Sequence, residues 1–266
     1  MPITIALAGK GGVGKTTTAG MIIKYLIQNQ EGSILAIDAD PSSNLHLVLG
    51  MDLEWTVGDI REDMLLKVKE SLTEKGAAMG SMPGGMSKRD YLNYEIHSAL
   101  SESNRVDLIA MGRSEGPGCY CAVNHNLREV IDEIGKNYNY VLLDNEAGME
   151  HLSRRTTRKV DHLFIISDPT QRGLNTARII DSMVNELDVE IENVYLILNR
   201  TLGDVPQPLM DSISKIGINF LGHLPSNDEL MSFDYEGKPL VELGDESPVY
   251  KTISELMDKA GIIPNK

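Results

Sequence analysis

The sequence predicts a single doubly wound, mostly parallel α/β sheet with helices on both faces, spanning residues 1–266. Three observations predict it. Short apolar, β-branched runs recur along the chain, and runs of that kind belong to strands buried on both faces. Helical patterns separate them, as βαβ repetition requires. A glycine-rich turn follows the first run, where an open α/β sheet binds its ligand.

Ile3–Ala8 is the first strand, and the helical pattern Thr16–Gln28 follows the glycine turn. Ile34–Ile37 and Val106–Met111 are the next strands. A helix over Leu127–Lys136 leads to a strand at Tyr140–Leu143. Leu163–Ile166, helix Leu174–Leu187, Val194–Leu198, Ile218–Leu221 and helix Ile253–Ala260 complete the alternation. The least regular stretch is Lys75–Asp90, rich in Gly and Met. It reads as an insertion loop, or as a lid or partner surface.

Composition narrows the function. Hydrophobic residues make up 41% of 266, enough for a large core, whereas aromatics are 5%, so that core is aliphatic. Lys+Arg 25 against Asp+Glu 39 gives a net charge of −14, which disfavours nucleic acid and anionic membrane as partners. The N-terminus has no basic n-region and runs straight into the first strand, and no run approaches the ~18 apolar residues of a membrane span. The chain has two cysteines, which excludes a disulfide framework and suits a reducing cytoplasm.

Gly9-Lys10-Gly11-Gly12-Val13-Gly14-Lys15-Thr16 matches the phosphate-binding pattern G-x-x-x-x-G-K-[ST] in full, with a strand before it and a helix after it. The glycines let backbone N–H groups face the phosphates, and the helix start adds its positive dipole end. Lys15 should reach the β- and γ-phosphates, and the Thr16 hydroxyl should ligate Mg²⁺. Tyr140-Val141-Leu142-Leu143-Asp144 is an apolar strand ending in a carboxylate that holds Mg²⁺. Gly148 lies just beyond it in Asn145-Glu146-Ala147-Gly148.

The second lysine, Lys10, makes Lys10–Thr17 read KGGVGKTT. This resembles the deviant Walker A ATPases, which include the nitrogenase iron protein, Min- and ParA-type ATPases and arsenite-pump ATPases. The resemblance implies an ATP-hydrolysing homodimer in which Lys10 reaches the nucleotide of the other subunit. It also implies roles for Asp38 and Asp40 in Ile37-Asp38-Ala39-Asp40-Pro41, near Mg²⁺ and on the attacking water respectively. Asn199, Arg200 and Pro225 match positions that contact adenine. The tetrapeptide after Asp144 departs from the D-T-P-A-G of many relatives but keeps Asp144 and Gly148, and the resemblance implies that the Gly148 backbone senses the γ-phosphate and makes this stretch a switch.

Cys119 and Cys121 sit at C-x-C spacing on the glycine-rich stretch Gly116–Cys121. Two such thiols can point at one ion, and a symmetric dimer brings four to its two-fold axis. Four thiolates suit Zn²⁺ or Ni²⁺. A buried apolar pair and a strained redox pair are the competing readings. KGGVGKTT, D-A-D-P, the cysteine loop and Asp144–Arg155 together resemble the carbon monoxide dehydrogenase accessory ATPases over essentially the whole chain. That resemblance implies a dimer binding nickel, or zinc, between two C-x-C motifs. Its recipient would be carbon monoxide dehydrogenase or acetyl-CoA synthase.

Two other functions compete. A Min/ParA-type positioning ATPase predicts a basic amphipathic C-terminal helix or a basic surface. The tail Ser247–Lys266 instead mixes acidic and basic residues around an ordinary apolar face. An iron–sulfur reductase like the nitrogenase iron protein places its cluster cysteines far apart, not two positions apart. His151–Lys159 forms a basic patch that reads as a docking site for an acidic partner or as a solvated helix face. His46, His97, His125, His162 and His223 have no ligand spacing and read as structural, although His125 follows Cys121 closely enough to supplement its ligands.

Overall fold

The computed structural model describes residues 1–73, 86–112, 129–146, 159–184 and 189–262. Eight strands form one sheet: β1 (Ile3–Gly9), β2 (Ile34–Asp38), β3 (Ser101–Glu102), β4 (Val106–Ala110), β5 (Tyr140–Asp144), β6 (Lys159–Ser167), β7 (Glu190–Thr201) and β8 (Asn219–Pro225). Their order is β3-β4-β2-β5-β1-β6-β7-β8, and every pairing is parallel except β3 with β4.

Burial follows from the strand period of two. Ile5 and Leu7 of β1 face one core and Ala6 and Ala8 the other. The first core is covered by α1 (Lys15–Asn29), α2 (Leu45–Leu49) and, near the end of the chain, α9 (Pro248–Lys259). The second lies beneath α3 (Val57–Thr73), α4 (Lys88–Ser98), α5 (residues 129–135), α6 (Gln171–Val184) and α7 (Gln207–Ile216). Helix α8 (Asp228–Glu236) has no buried residue and lies over the carboxyl end of the sheet, beside Pro225.

The expected strands are all present, several longer than their apolar runs. The polar start of β6 is neutralised locally. Lys159 pairs with Asp161 at 2.7 Å and with Glu192 of β7 at 2.8 Å. Lys159 therefore belongs to an ion cluster at the starts of the neighbouring strands β6 and β7, whereas the rest of the patch expected at His151–Lys159 lies outside the described residues. β3 has only two residues, Ser101 and Glu102, and carries no apolar signal. Of Lys75–Asp90, the part through residue 85 lies outside the described residues. Its end is helical, because Ser87 caps α4 by accepting the Asp90 N–H at 3.1 Å.

Candidate functional site

β1 delivers the chain to Gly9, where φ is +149° and a Cβ would lie 2.2 Å from the Ile166 carbonyl oxygen of the neighbouring strand. The turn ends at Gly14, the N-cap of α1, with φ +92°. No side chain caps α1 and its first turn carries no acidic residue, so its leading N–H groups remain available to an anion. Lys15 is buried, and its Nζ donates to the Gly9 carbonyl at 3.3 Å and to the Lys10 carbonyl at 3.4 Å. Burial holds its pKa below the usual lysine value, against the pull of Asp144, Asp40 and Glu146. Lys10 is exposed, and its side chain makes no hydrogen bond or ion pair among the described residues.

The carboxylates gather at the strand tips beside this loop. Asp38 ends β2 and Asp144 ends β5, and they are register partners. The two oxygens of Asp38 accept the backbone N–H groups of Asp40 at 3.0 Å and Leu45 at 2.9 Å, which shapes the loop after β2. Asp40 accepts the Ser42 N–H at 2.9 Å in the same loop. Burial pushes Asp38 up to about 6, opposed by those two N–H groups. Asp144 is fully buried, and neither of its oxygens has a hydrogen-bond partner among the described residues. Burial pushes it up to about 7; the nearby Thr16 hydroxyl opposes the shift and the Asp38 carboxylate adds to it. A bare carboxylate next to a hydroxyl, at the edge of an anion-binding loop, is the donor set a hard divalent cation such as Mg²⁺ takes.

Asn199 and Arg200, at the end of β7, border a pocket of about 570 Å³ together with Thr17, Pro225 and the α8 residues Met231 and Tyr235. The pairing of Ser226 N–H with the Thr201 carbonyl at 2.9 Å draws the end of β8 against β7, which places Pro225 beside Asn199 and Arg200. The three residues expected at a base thus converge on one pocket next to the phosphate loop. They also reach the loop itself. Asn199 Nδ2 donates to the Val13 carbonyl at 2.8 Å and Arg200 Nη1 to the Gly12 carbonyl at 3.0 Å.

Gly148, Cys119, Cys121 and His125 lie outside the described residues. Among the described residues, no group of three or more His, Cys, Asp or Glu is arranged to hold a metal, and no helix is long and apolar enough to cross a membrane.

The family model of the CobQ/CobB/MinD/ParA nucleotide binding domain matches residues 4–240. The chain belongs to this family. As a CobQ/CobB/MinD/ParA-type nucleotide-binding ATPase it has relatives along its full length. It is 43% identical to the "Uncharacterized ATP-binding protein MJ0685" of Methanocaldococcus jannaschii, covering 96% of this chain and 97% of that one. It is 28% identical to the carbon monoxide dehydrogenase accessory protein CooC of Rhodospirillum rubrum, covering 97% of each. The cell division ATPase MinD of Pyrococcus furiosus superposes with a TM-score of 0.66 at 20% identity, over 98% of this chain and 99% of that one; at that identity the likeness is one of fold.

Sequence reasoning missed two parts of this candidate site. One is α8, whose exposed Met231 and Tyr235 line the pocket; its start was legible in Asn227, which caps it by accepting the Glu229 N–H at 2.7 Å. The other is Asn145, fully buried and donating to the Leu7 carbonyl at 2.8 Å, which ties the chain after Asp144 to β1. No spacing rule announces that bond.

Proposed function

We propose that this ATPase works as a homodimer that binds Ni²⁺, or Zn²⁺, through Cys119 and Cys121 of both subunits and delivers nickel to a partner enzyme, carbon monoxide dehydrogenase or acetyl-CoA synthase, in the cytoplasm. The observation that carries this reading is where the cysteine-bearing connection starts. It leaves β4, whose end pairs with Asp38: Ala110 is the register partner of Asp38, and the Met111 N–H donates to the Asp38 carbonyl at 2.7 Å. A change at the carboxylate cluster therefore bears directly on the first residue of the connection to Cys119 and Cys121. Full-length similarity to the accessory protein CooC supports the same reading.

In the proposed cycle, the backbone of Gly9–Thr17 and the buried Lys15 bind the phosphates of ATP, and Asn199, Arg200 and Pro225 bind adenine. Thr16 and Asp144, with Asp38 beside them, would hold Mg²⁺, which supplies charge neutralisation on the phosphates. Asp40 orients the attacking water, and Gly148 reports the γ-phosphate. Lys10, exposed and unengaged, is free to reach the nucleotide of a second subunit. Catalysis of this kind is mostly positioning and electrostatics, and these are the groups it needs.

A second reading, a positioning ATPase of the Min/ParA type, is favoured by the MinD-like fold. Against it, α9 buries Val249, Tyr250, Ile253, Leu256 and Met257 in the core, which leaves no apolar face to lie on a membrane. The net charge of −14 opposes binding to DNA. Anaerobic metal titration of wild type beside Cys119→Ser/Cys121→Ser, with oligomeric state recorded, separates the two. One Ni²⁺ per dimer, lost in the double variant, is expected. No metal in either protein, with ATP-dependent flotation on liposomes, would establish the positioning reading instead.

A further inference from the structure

The contacts of Asn199 and Arg200 with the phosphate loop have a consequence for the loop's geometry. In a trans peptide the C=O of one residue and the N–H of the next point in opposite directions. Arg200 Nη1 holds the Gly12 carbonyl on its own side, so the Val13 N–H is turned the other way. Asn199 Nδ2 holds the Val13 carbonyl, so the Gly14 N–H is turned away as well. Two successive N–H groups of the loop are thereby fixed on the face opposite the β7 end.

The pair is itself rigidly built. The Arg200 N–H donates to Asn199 Oδ1 at 2.9 Å, which commits the NH₂ end of the amide to the loop. Arg200 sits at φ +60°, in the left-handed region that a non-glycine residue seldom adopts, and this conformation aims its side chain back over Gly12. Asn199 is nine-tenths buried. It also explains Gly14, where a Cβ would lie 2.4 Å from Asn199 Nδ2. These bonds run between protein atoms alone and need no base to form.

We infer that Asn199 and Arg200 are positioning residues that orient the Gly12–Gly14 peptide planes for polyphosphate binding, in addition to contacting the base. The inference rests on the nucleotide-site assignment above and deepens it: base pocket and phosphate loop are one mechanical unit. The competing possibility is that the pair serves the base alone.

The test is a base-free ligand. ATP hydrolysis is measured for wild type, Asn199→Ala, Arg200→Ala and Arg200→Lys, with Mg²⁺-tripolyphosphate as competitor and thermal melting of each protein. Arg200→Ala should raise the inhibition constant of tripolyphosphate about tenfold, the size of one lost charge-assisted hydrogen bond, and Asn199→Ala, which loses a neutral one, about fivefold. Each should also lower kcat, and Arg200→Lys, which keeps a donor, should recover most of the loss. A raised KM for ATP with kcat and the tripolyphosphate constant unchanged would overturn the inference and leave the base assignment standing. No change in any of the three constants would remove both. A wild-type protein that tripolyphosphate does not inhibit would overturn the inference too, because a loop set by protein atoms should accept the bare chain of phosphates. If an alanine variant does not fold, Arg200→Gln, a shorter polar side chain without the cation, reads the same constant.

Discussion

Asp38 and Asp144 are register partners at the ends of adjacent parallel strands, both buried, one with each oxygen bonded to a backbone N–H and the other with neither oxygen bonded among the described residues. Burial pushes them up to about 6 and about 7 against a usual 3.8, and the Asp38 carboxylate adds to the shift of Asp144. In the pH range between these values the folded chain holds protons that the unfolded chain has released. Stability must then fall as pH rises from about 4 to about 7. At about 1.4 kcal/mol for each pKa unit, the combined effect is on the order of several kcal/mol. Melting of the protein without metal or nucleotide, followed across that range, should show the decline, and Asp144→Asn should flatten it. Mg²⁺ with ATP should reverse it, because a cation stabilises the ionised form. A stability that rises over the same range would contradict the placement of these groups.

Lys15 differs from Lys10 in burial, and that difference predicts different phenotypes. Lys15 is enclosed by the loop it serves. Its loss removes a cation from a site built for phosphate, at ~1.5–3 kcal/mol for each charged hydrogen bond. Lys15→Ala should weaken ATP binding by about a hundredfold or more if two such bonds are lost. Calorimetric titration with ATP in Mg²⁺ measures it, and near-wild-type affinity would show that Lys15 is not the phosphate lysine.

Gly14 is constrained twice, by φ +92° and by Asn199 Nδ2 at the place a Cβ would occupy. Gly14→Ala should therefore abolish nucleotide binding while leaving the sheet folded. Adding Asn199→Ala should restore only part of it, because the clash is relieved while the backbone strain remains and the Asn199 contacts are lost. Full recovery in the double variant would mean that neither backbone conformation nor Asn199 contributes.

Most of the sheet was legible because its strands are buried on both faces, and burial writes itself as apolar runs at Ile3–Ala8, Ile34–Ile37 and Tyr140–Leu143. The phosphate loop was legible because only a few residue types let backbone N–H groups converge on an anion. What stayed hidden are the interactions that pair residues distant in sequence. Lys159 reads as part of a basic patch until Glu192 comes beside it. Asn199 reads as a base contact until its amide is found on Val13, 186 residues away in sequence. The short strand Ser101–Glu102 carries only polar residues, so no hydrophobic period marks it.

The dimer prediction turns on Lys10 and Asp40. Lys10 is exposed at the start of the loop, and Asp40 sits in the turn that Asp38 organises through the Asp40 N–H. Neither is enclosed as Lys15 is, so removing either should leave most ATP binding intact. If Lys10 stabilises developing charge in the other subunit, its loss should lower hydrolysis by about a thousandfold, the lower range seen for a cation supplied in trans to a transferring phosphoryl group. Asp40→Ala should stop hydrolysis for a different reason, the loss of the group proposed to orient water. It should therefore accumulate as an ATP-bound dimer, because the charge that draws the subunits together is retained. Lys10→Ala should bind ATP and remain monomeric. Sizing chromatography with ATP and Mg²⁺, read beside turnover, decides it: two variants equally inactive but opposite in oligomeric state place Lys10 at the interface, whereas unchanged turnover in Lys10→Ala assigns that lysine to the surface.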